Sequence, residues 1–206
     1  MDAKQQFSTK NLTPHDISTL KAQGYTSGLI QAITQNNLMF PLRIWVVDNS
    51  GSMTRGDGHR MVELPGSSTQ HRVLKFVNCS RWTEIQQTVE YHARMAALLE
   101  MPTVFRLLND PGRMVGQQQF SIAEHTNNDI DTELANALQT MQNATPNGVT
   151  PLAEHVREIR ANVVSTMQSS LRREGQKCCI VLATDGLPSN SQGVTDASSQ
   201  AEFQSA

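Results

Sequence analysis

The feature that most constrains the fold is a short apolar run followed at once by an acid and two hydroxyls. Residues 44–47 read Ile-Trp-Val-Val, and Asp48, Ser50 and Ser52 come directly after them. Consecutive apolar residues rich in β-branching are typical of a strand that is buried on both faces of a sheet. The three polar residues occupy alternate positions, so a tight loop can direct their oxygens toward one point. The stretch therefore predicts a buried strand that ends in an oxygen-rich loop.

The rest of the chain predicts helices that alternate with strands. Apolar residues at helical spacing predict helices over about residues 80–99, 130–141 and 150–175, and apolar runs predict strands over 103–108, 118–122 and 177–184. The strand at 118–122 is expected to return antiparallel to 103–108, and 177–184 is expected to be a second central strand. We predict an α/β fold with a doubly wound, mainly parallel sheet and one antiparallel edge strand.

Two further segments flank or interrupt this pattern. Residues 1–40 predict an appendage of two short helices, the first capped by Thr13 with Pro14 at its first position and ended by Gly24. Residues 41–206 then form the main domain. It contains an insert from 54 to about 80, in which 59–64 and 72–77 are expected to pair as a hairpin around the turn at 65–68.

Composition excludes several classes of function. A net charge of −2 gives no electrostatic reason to expect nucleic acid or a membrane surface as a partner. No apolar run approaches the roughly 20 residues that a membrane span needs, and the first residues lack the apolar core of a secretory signal. Cys79 is isolated and Cys178 adjoins Cys179, which is neither a disulfide framework nor a metal-type spacing. We expect a cytoplasmic protein.

Five oxygen-bearing side chains stand out as a possible metal site. They lie after predicted strands or before a predicted helix: Asp48, Ser50, Ser52, Thr150 and Asp185. Two carboxylates brought close together repel each other unless a cation lies between them. Hydroxyl and carboxylate oxygens suit Mg²⁺, and Mn²⁺ would also fit. No His or Cys joins the set, which argues against zinc.

Each of these residues also has a purely structural interpretation. Ser50 and Ser52 could cap a turn, and Asp48 could accept hydrogen bonds from backbone N–H groups. Thr150 before a proline is a good helix cap, and Asp185 followed by Gly186 is a good turn. The metal site is favoured because all five occur together, after two apolar strands.

Three motifs carry a resemblance to a known family. Asp-Asn-Ser-Gly-Ser-Met at 48–53, Gly-Val-Thr-Pro-Leu at 148–152 and Thr-Asp-Gly at 184–186 resemble the von Willebrand factor type A (vWA) domain and its metal-ion-dependent adhesion site (MIDAS). The resemblance covers about residue 41 to the C-terminus. It implies that Ser50, Ser52 and Thr150 coordinate the cation directly, while Asp48 and Asp185 bind it directly or through water.

The resemblance also implies a function. A carboxylate from a partner protein, presented by Asp or Glu, would fill a vacant position on Mg²⁺ or Mn²⁺, with no bond cleavage and hence no enzyme activity. One alternative is a Mg²⁺-dependent phosphotransfer enzyme with Asp48 as nucleophile, although Ser50 stands where such enzymes typically carry a second acid. Another is an adaptor in ubiquitin-linked pathways, because Gln23-Gly24-Tyr25 between two short helices is faintly similar to ubiquitin-associated domains.

Two departures from the family pattern affect these expectations. A helix usually begins soon after the first loop, whereas here the insert intervenes and could shape or partly cover the partner surface. The family sheet also continues with two more strands, yet this chain stops about 20 residues past Asp185. We therefore expect a C-terminally incomplete domain; otherwise the last strand becomes an exposed edge.

Overall fold

A computed structural model describes residues 11–64, 73–125, 129–190 and 192–206. Four strands form the central sheet in the order β5-β4-β1-β6, and two others form a separate hairpin. The strands are β1 Leu42–Val47, β2 Gly58–Glu63, β3 Leu74–Cys79, β4 Thr103–Leu107, β5 Gln119–Ile122 and β6 Cys178–Ala183. β1 is parallel to β4 and β6, and β5 is antiparallel to β4. The predicted mainly parallel sheet with one antiparallel edge strand is confirmed.

Seven α-helices surround or precede this sheet within the described residues. They are α1 Pro14–Ala22, α2 Ser27–Met39, α3 Arg81–Leu98, α4 Ile130–Asn143, α5 Leu152–Ile159, α6 Ser165–Glu174 and α7 Ala197–Ser205. A π-helical stretch, Arg160–Val164, joins α5 to α6. The sequence predicted one uniform helix here, because apolar spacing does not report which carbonyl each N–H bonds. Among these helices, none is both long and apolar enough to span a membrane.

Helices cover both faces of the sheet. On one face, α3 and α4 pack over Trp45, Val47 and Phe105. On the other face, Ile44 and Val46 pack against residues of α5 and of the π-helical stretch. Successive residues of β1 thus face opposite layers, which explains why this strand is apolar throughout.

The position of β6 corrects one expectation. The sequence predicted a second central strand, but β6 is the edge strand of the described sheet and pairs there only with β1. Ile180 and Leu182 are 39% and 40% exposed because the helices on their face cover β1 more completely than β6. An apolar run predicts that a strand is buried, but it does not predict how many neighbouring strands pair with it.

Two short helices, α1 and α2, are present in the N-terminal segment, where the sequence predicted two; residues 1–10 of that segment lie outside the described residues. The hydroxyl of Thr13 accepts the N–H of Asp16, whose carboxylate accepts the N–H of Thr13, so the two residues form a capping box at the start of α1. Leu20 and Ile30 then pack against Leu99 and Met101, at the junction between α3 and β4. The hairpin therefore lies on the amino-end side of the sheet, away from the predicted metal loops.

The insert forms the predicted antiparallel pair, β2 with β3. The turn expected at 65–68 and the beginning of the second predicted strand, at 72, lie outside the described residues. α3 begins after Ser80, whose hydroxyl accepts the N–H of Thr83. A Cβ on Gly58 would lie 2.8 Å from the carbonyl oxygen of Ser80, so only glycine allows the base of the insert to approach α3 this closely.

Candidate metal centre

The two aspartates of the predicted site lie next to each other at one end of the sheet. Val47 and Ala183 are paired in register, and the N–H of Asp48 donates to the carbonyl of Ala183 at 2.9 Å. Asp185 follows β6 by two residues. The chain runs from β1 to β4 on one side and later returns to β6 on the other, so this is the switch point where open α/β sheets bind ligands.

The loop after β1 directs its hydroxyls toward Asp185. The N–H of Ser50 donates to Oδ1 of Asp48 at 2.8 Å, and a short 3₁₀ turn, Gly51–Thr54, follows. Oγ of Ser50 lies 3.0 Å from Oγ of Ser52, which donates to Oδ1 of Asp185 at 3.0 Å. A continuous chain of hydrogen bonds therefore runs from the first loop to the third.

Thr150 reaches the same place from the second loop. The N–H of Gly51 donates to the carbonyl of Gly148 at 3.2 Å, which joins the first loop to the second. Thr150 and Ser189 then hold each other: the N–H of Thr150 donates to Oγ of Ser189, and the N–H of Ser189 donates to the carbonyl of Thr150, both at 2.9 Å. No local sequence pattern predicted this pairing.

The structural interpretations fit some of these residues and not others. Asp48 does accept a backbone N–H, as that interpretation expected. Ser50 precedes the 3₁₀ turn without a side-chain capping bond, and the residue that caps α5 is Pro151. Within the described part of the chain, the hydroxyl of Thr150 makes no hydrogen bond, although that residue is mostly buried. The hydroxyls of Ser50 and Thr150 are therefore not used as helix caps.

A pair of asparagines fixes the loops from behind. Nδ2 of Asn49 donates to the carbonyl of Asn109 at 2.9 Å, and the N–H of Asn109 donates to Oδ1 of Asn49 at 2.8 Å. Nδ2 of Asn109 also donates to the carbonyl of Val149 at 2.8 Å. These bonds join the loops after β1 and β4 to the Thr150 loop, and no sequence pattern predicted that Asn109 takes part.

The loops line an open cavity of about 410 Å³ at the end of the sheet. Four of the five predicted residues line it: Ser50, Ser52, Thr150 and Asp185. Asp48 is fully buried and lies behind them. Two arginines, Arg55 and Arg81, line the same cavity. Sequence reasoning missed both.

Arg81 is held by two carboxylates at this cavity. Its Nε and Nη2 donate to Oδ1 and Oδ2 of Asp57, each at 2.6 Å, and its Nη1 donates to Oδ2 of Asp185. The hydrogen bonds to Asp57 and Asp185 raise the pKa of Arg81 above its already high ordinary value. The guanidinium is therefore charged at all relevant pH values. The guanidinium in turn holds the pKa of Asp57 below its usual range.

The donor set fits a small divalent cation. Ligands at about 2.0–2.1 Å in an octahedron lie about 2.9–3.0 Å from their neighbours. The distances from Ser52 Oγ to Ser50 Oγ and to Asp185 Oδ1 are both 3.0 Å; they match this octahedral spacing and are also ordinary hydrogen-bond lengths. No group of three or more His, Cys, Asp or Glu that could hold a metal was found among the described residues, so a site here relies on hydroxyls as well as carboxylates.

Comparison of the chain with protein-family models, curated proteins and solved structures gives no match. The resemblance to the vWA domain therefore stays a prediction from sequence motifs. What the chain can do has to be inferred from the side chains that meet beyond β1 and β6.

Proposed function

We propose that the chain is a divalent-cation-dependent protein-binding module of the vWA type. It holds Mg²⁺ or Mn²⁺ beyond β1 and β6 and uses the cation to bind an Asp or Glu of a partner protein. The observation that carries this proposal is the shared cavity, in which Ser50, Ser52 and Asp185 place oxygens at the spacing of octahedral ligands. Thr150 lines the same cavity from the second loop, and the buried Asp48 lies behind it.

The chemistry of the donors supports binding of an anion. Hydroxyl ligands are neutral, so a divalent ion held by Ser50, Ser52 and Thr150 keeps much of its charge and attracts a carboxylate. When bound, the cation would supply this attraction; the chain's own contribution is to hold the oxygens close together. Arg55 on the same cavity adds positive potential, which favours an acidic partner.

The burial of Asp48 favours binding over phosphotransfer. An aspartate nucleophile needs an accessible oxygen, whereas Asp48 is fully buried and its oxygens accept bonds from Ser50 N–H and the Thr184 hydroxyl. Turnover of a generic phosphatase substrate with Mg²⁺ that is abolished by Asp48→Asn would support the enzyme alternative instead. A ubiquitin-linked role for residues 1–40 stays a prediction that no contact in the described residues favours.

Thermal unfolding with and without cation tests the proposal. A ligand that binds only the native state raises its stability, by about 2.7 kcal/mol at 100 times the dissociation constant. We expect Mg²⁺ or Mn²⁺ to raise the Tm of the wild type relative to EDTA. Asp185→Ala and Ser52→Ala should lose this shift, and the exposed Asp131→Ala should keep it. An equal shift in all three variants would contradict the proposed site.

A further inference from the structure

Asp185 is shared between the candidate cation site and Arg81. Its Oδ1 accepts a hydrogen bond from the hydroxyl of Ser52, one of the other candidate metal ligands. Its Oδ2 accepts a hydrogen bond from Nη1 of Arg81. A divalent ion coordinated by Oδ1 would therefore share the Asp185 carboxylate with the permanent positive charge of Arg81. The side chains of Asp185 and Arg81 are 10% and 24% exposed, so water screens the two charges only in part.

Asp57 holds the same guanidinium from the other side. It accepts two parallel hydrogen bonds from Arg81 and is itself 59% exposed. Asp57 stands at the start of the insert, and Arg81 stands just after its end, where its N–H also donates to the carbonyl of Arg55. One side chain thus connects both ends of the insert to a candidate metal ligand.

We propose that Arg81 is a tethered cation that limits how tightly the centre binds a divalent ion, and that Asp57 sets the strength of this competition. The inference rests on the proposed function, because it concerns the loading of that same site. Asp57 and Asp185 both form ion pairs with the single positive charge of Arg81. A movement of the insert that draws Asp57 away would leave Arg81 to Asp185 alone and weaken binding of the metal.

The opposite effect, in which Arg81 helps by orienting Asp185, is the smaller of the two. Ordering one rotamer-rich side chain changes a binding constant by about twofold to thirteenfold, and the short side chain of Asp185, with few rotamers, lies at the lower end of that range. A single positive charge near a divalent ion changes it by about tenfold even in a water-like dielectric, and by more where the groups are partly buried. Repulsion between Arg81 and the cation is therefore the larger effect, so Arg81 should weaken binding of the cation.

Titration of the intact chain with Mn²⁺, followed by the electron paramagnetic resonance signal of the free ion, measures this effect without a partner. We expect Arg81→Met to lower the Kd for Mn²⁺ by about tenfold. Arg81→Lys keeps the charge and should stay closer to the wild type. Asp57→Asn should raise the Kd, because it leaves the guanidinium to Asp185. Arg94→Met, on the same helix but paired with Glu90, is the matched control and should change nothing.

The outcomes separate this inference from the proposed function. If the wild type binds Mn²⁺ and Arg81→Met binds it equally or more weakly, the competition is wrong while the metal site stands. If neither the wild type nor any variant binds, the proposed metal site is wrong and the inference falls with it. Binding by Arg81→Met alone would support the competition. Should Arg81→Met fail to fold by circular dichroism, Arg81→Gln and Asp57→Asn carry the same test, and an unchanged Kd in both would overturn it.

Discussion

The hydroxyl of Thr184 donates a 2.6 Å hydrogen bond to Oδ2 of Asp48, across the junction between β6 and β1. The other oxygen of Asp48 accepts the N–H of Ser50 at 2.8 Å, and the side chain is fully buried. Both carboxylate oxygens thus have donors, as a buried charged group requires. The position of the first loop therefore depends on a residue of the neighbouring strand's end.

Replacing Thr184 by valine should destabilise the protein. The substitution preserves the shape of the side chain but leaves Oδ2 of Asp48 without its donor, at an expected cost of about 1–3 kcal/mol. Urea denaturation measures this loss as a lower midpoint. Thr184→Ser, which retains the hydroxyl, is the control and should lose much less. Equal midpoints for the valine variant and the wild type would show that the bond contributes nothing to stability.

The sequence predicted those parts of the fold and site that depend on local signals. The apolar run before Asp48 and the cap at Ser80 act within a few residues, and the structure has β1 and α3 at those places. The motifs after β1 and β6 also lie side by side, because parallel neighbouring strands end at the same edge of a sheet, and the Thr150 loop lines the same cavity.

The missed features depend on contacts between distant residues. Arg81 and Asp185 are 104 positions apart, and Asn49 and Asn109 are 60 apart. Neither pair follows from spacing or from residue type, because each requires the order of the strands to be known. The edge position of β6 has the same origin, since its composition resembles that of β1 while its number of neighbours differs.

The two phenylalanines at 105 and 76 offer a matched test of the core. Phe105 is fully buried between the layers, whereas Phe76 on the insert is 69% exposed. Phe105→Ala should cost about 3–5 kcal/mol because it leaves a cavity in the core. Phe76→Ala should change stability by less than about 0.5 kcal/mol. Chemical denaturation of both variants checks this, and similar losses would contradict the assignment of the core.

His155 should make stability depend on pH. Its Nδ1 accepts from Nε of Arg106 at 2.7 Å, so Nε2 carries the proton and donates to the carbonyl of Leu108 at 2.9 Å. Burial, and then the charge of Arg106, lower the pKa of His155. The unfolded chain takes up a proton near the ordinary value of about 6.5, and the folded ring resists it. The stability that the neutral His155 ring contributes is therefore fully present above about pH 6.5, and it is lost as the pH falls below that value.

The contribution of His155 is measured by comparing how steeply stability changes with pH in the wild type and in a variant without this imidazole. Burial also lowers the pKa of His92, so the wild-type slope contains both residues. Urea midpoints of the wild type and of His155→Gln, at about pH 7.5 and about pH 5.5, isolate the part that belongs to His155. We expect a smaller fall for the variant. An identical fall would mean that the ring at 155 is not held neutral in the folded state.

Gly148 should tolerate substitution less well than Gly112, although both have positive φ. Their φ angles are +71° and +96°, a region that costs a residue with a Cβ about 1–2 kcal/mol. A Cβ on Gly112 meets nothing within 4 Å, whereas one on Gly148 would lie 2.4 Å from Oδ1 of Asn109. Gly148→Ala must therefore displace the side chain that donates to the carbonyl of Val149.

The two alanine variants separate backbone strain from disturbance of the Thr150 loop. Gly112→Ala should lose only the backbone cost and keep the cation-dependent rise in Tm. Gly148→Ala should lose about 1–3 kcal/mol more, since a partly buried hydrogen bond is broken, and its rise in Tm with Mg²⁺ should shrink. Urea midpoints and thermal unfolding with and without EDTA measure the two effects. If both variants respond alike, the Asn109 contact does not hold Thr150 in place, and Ser189 alone must do so.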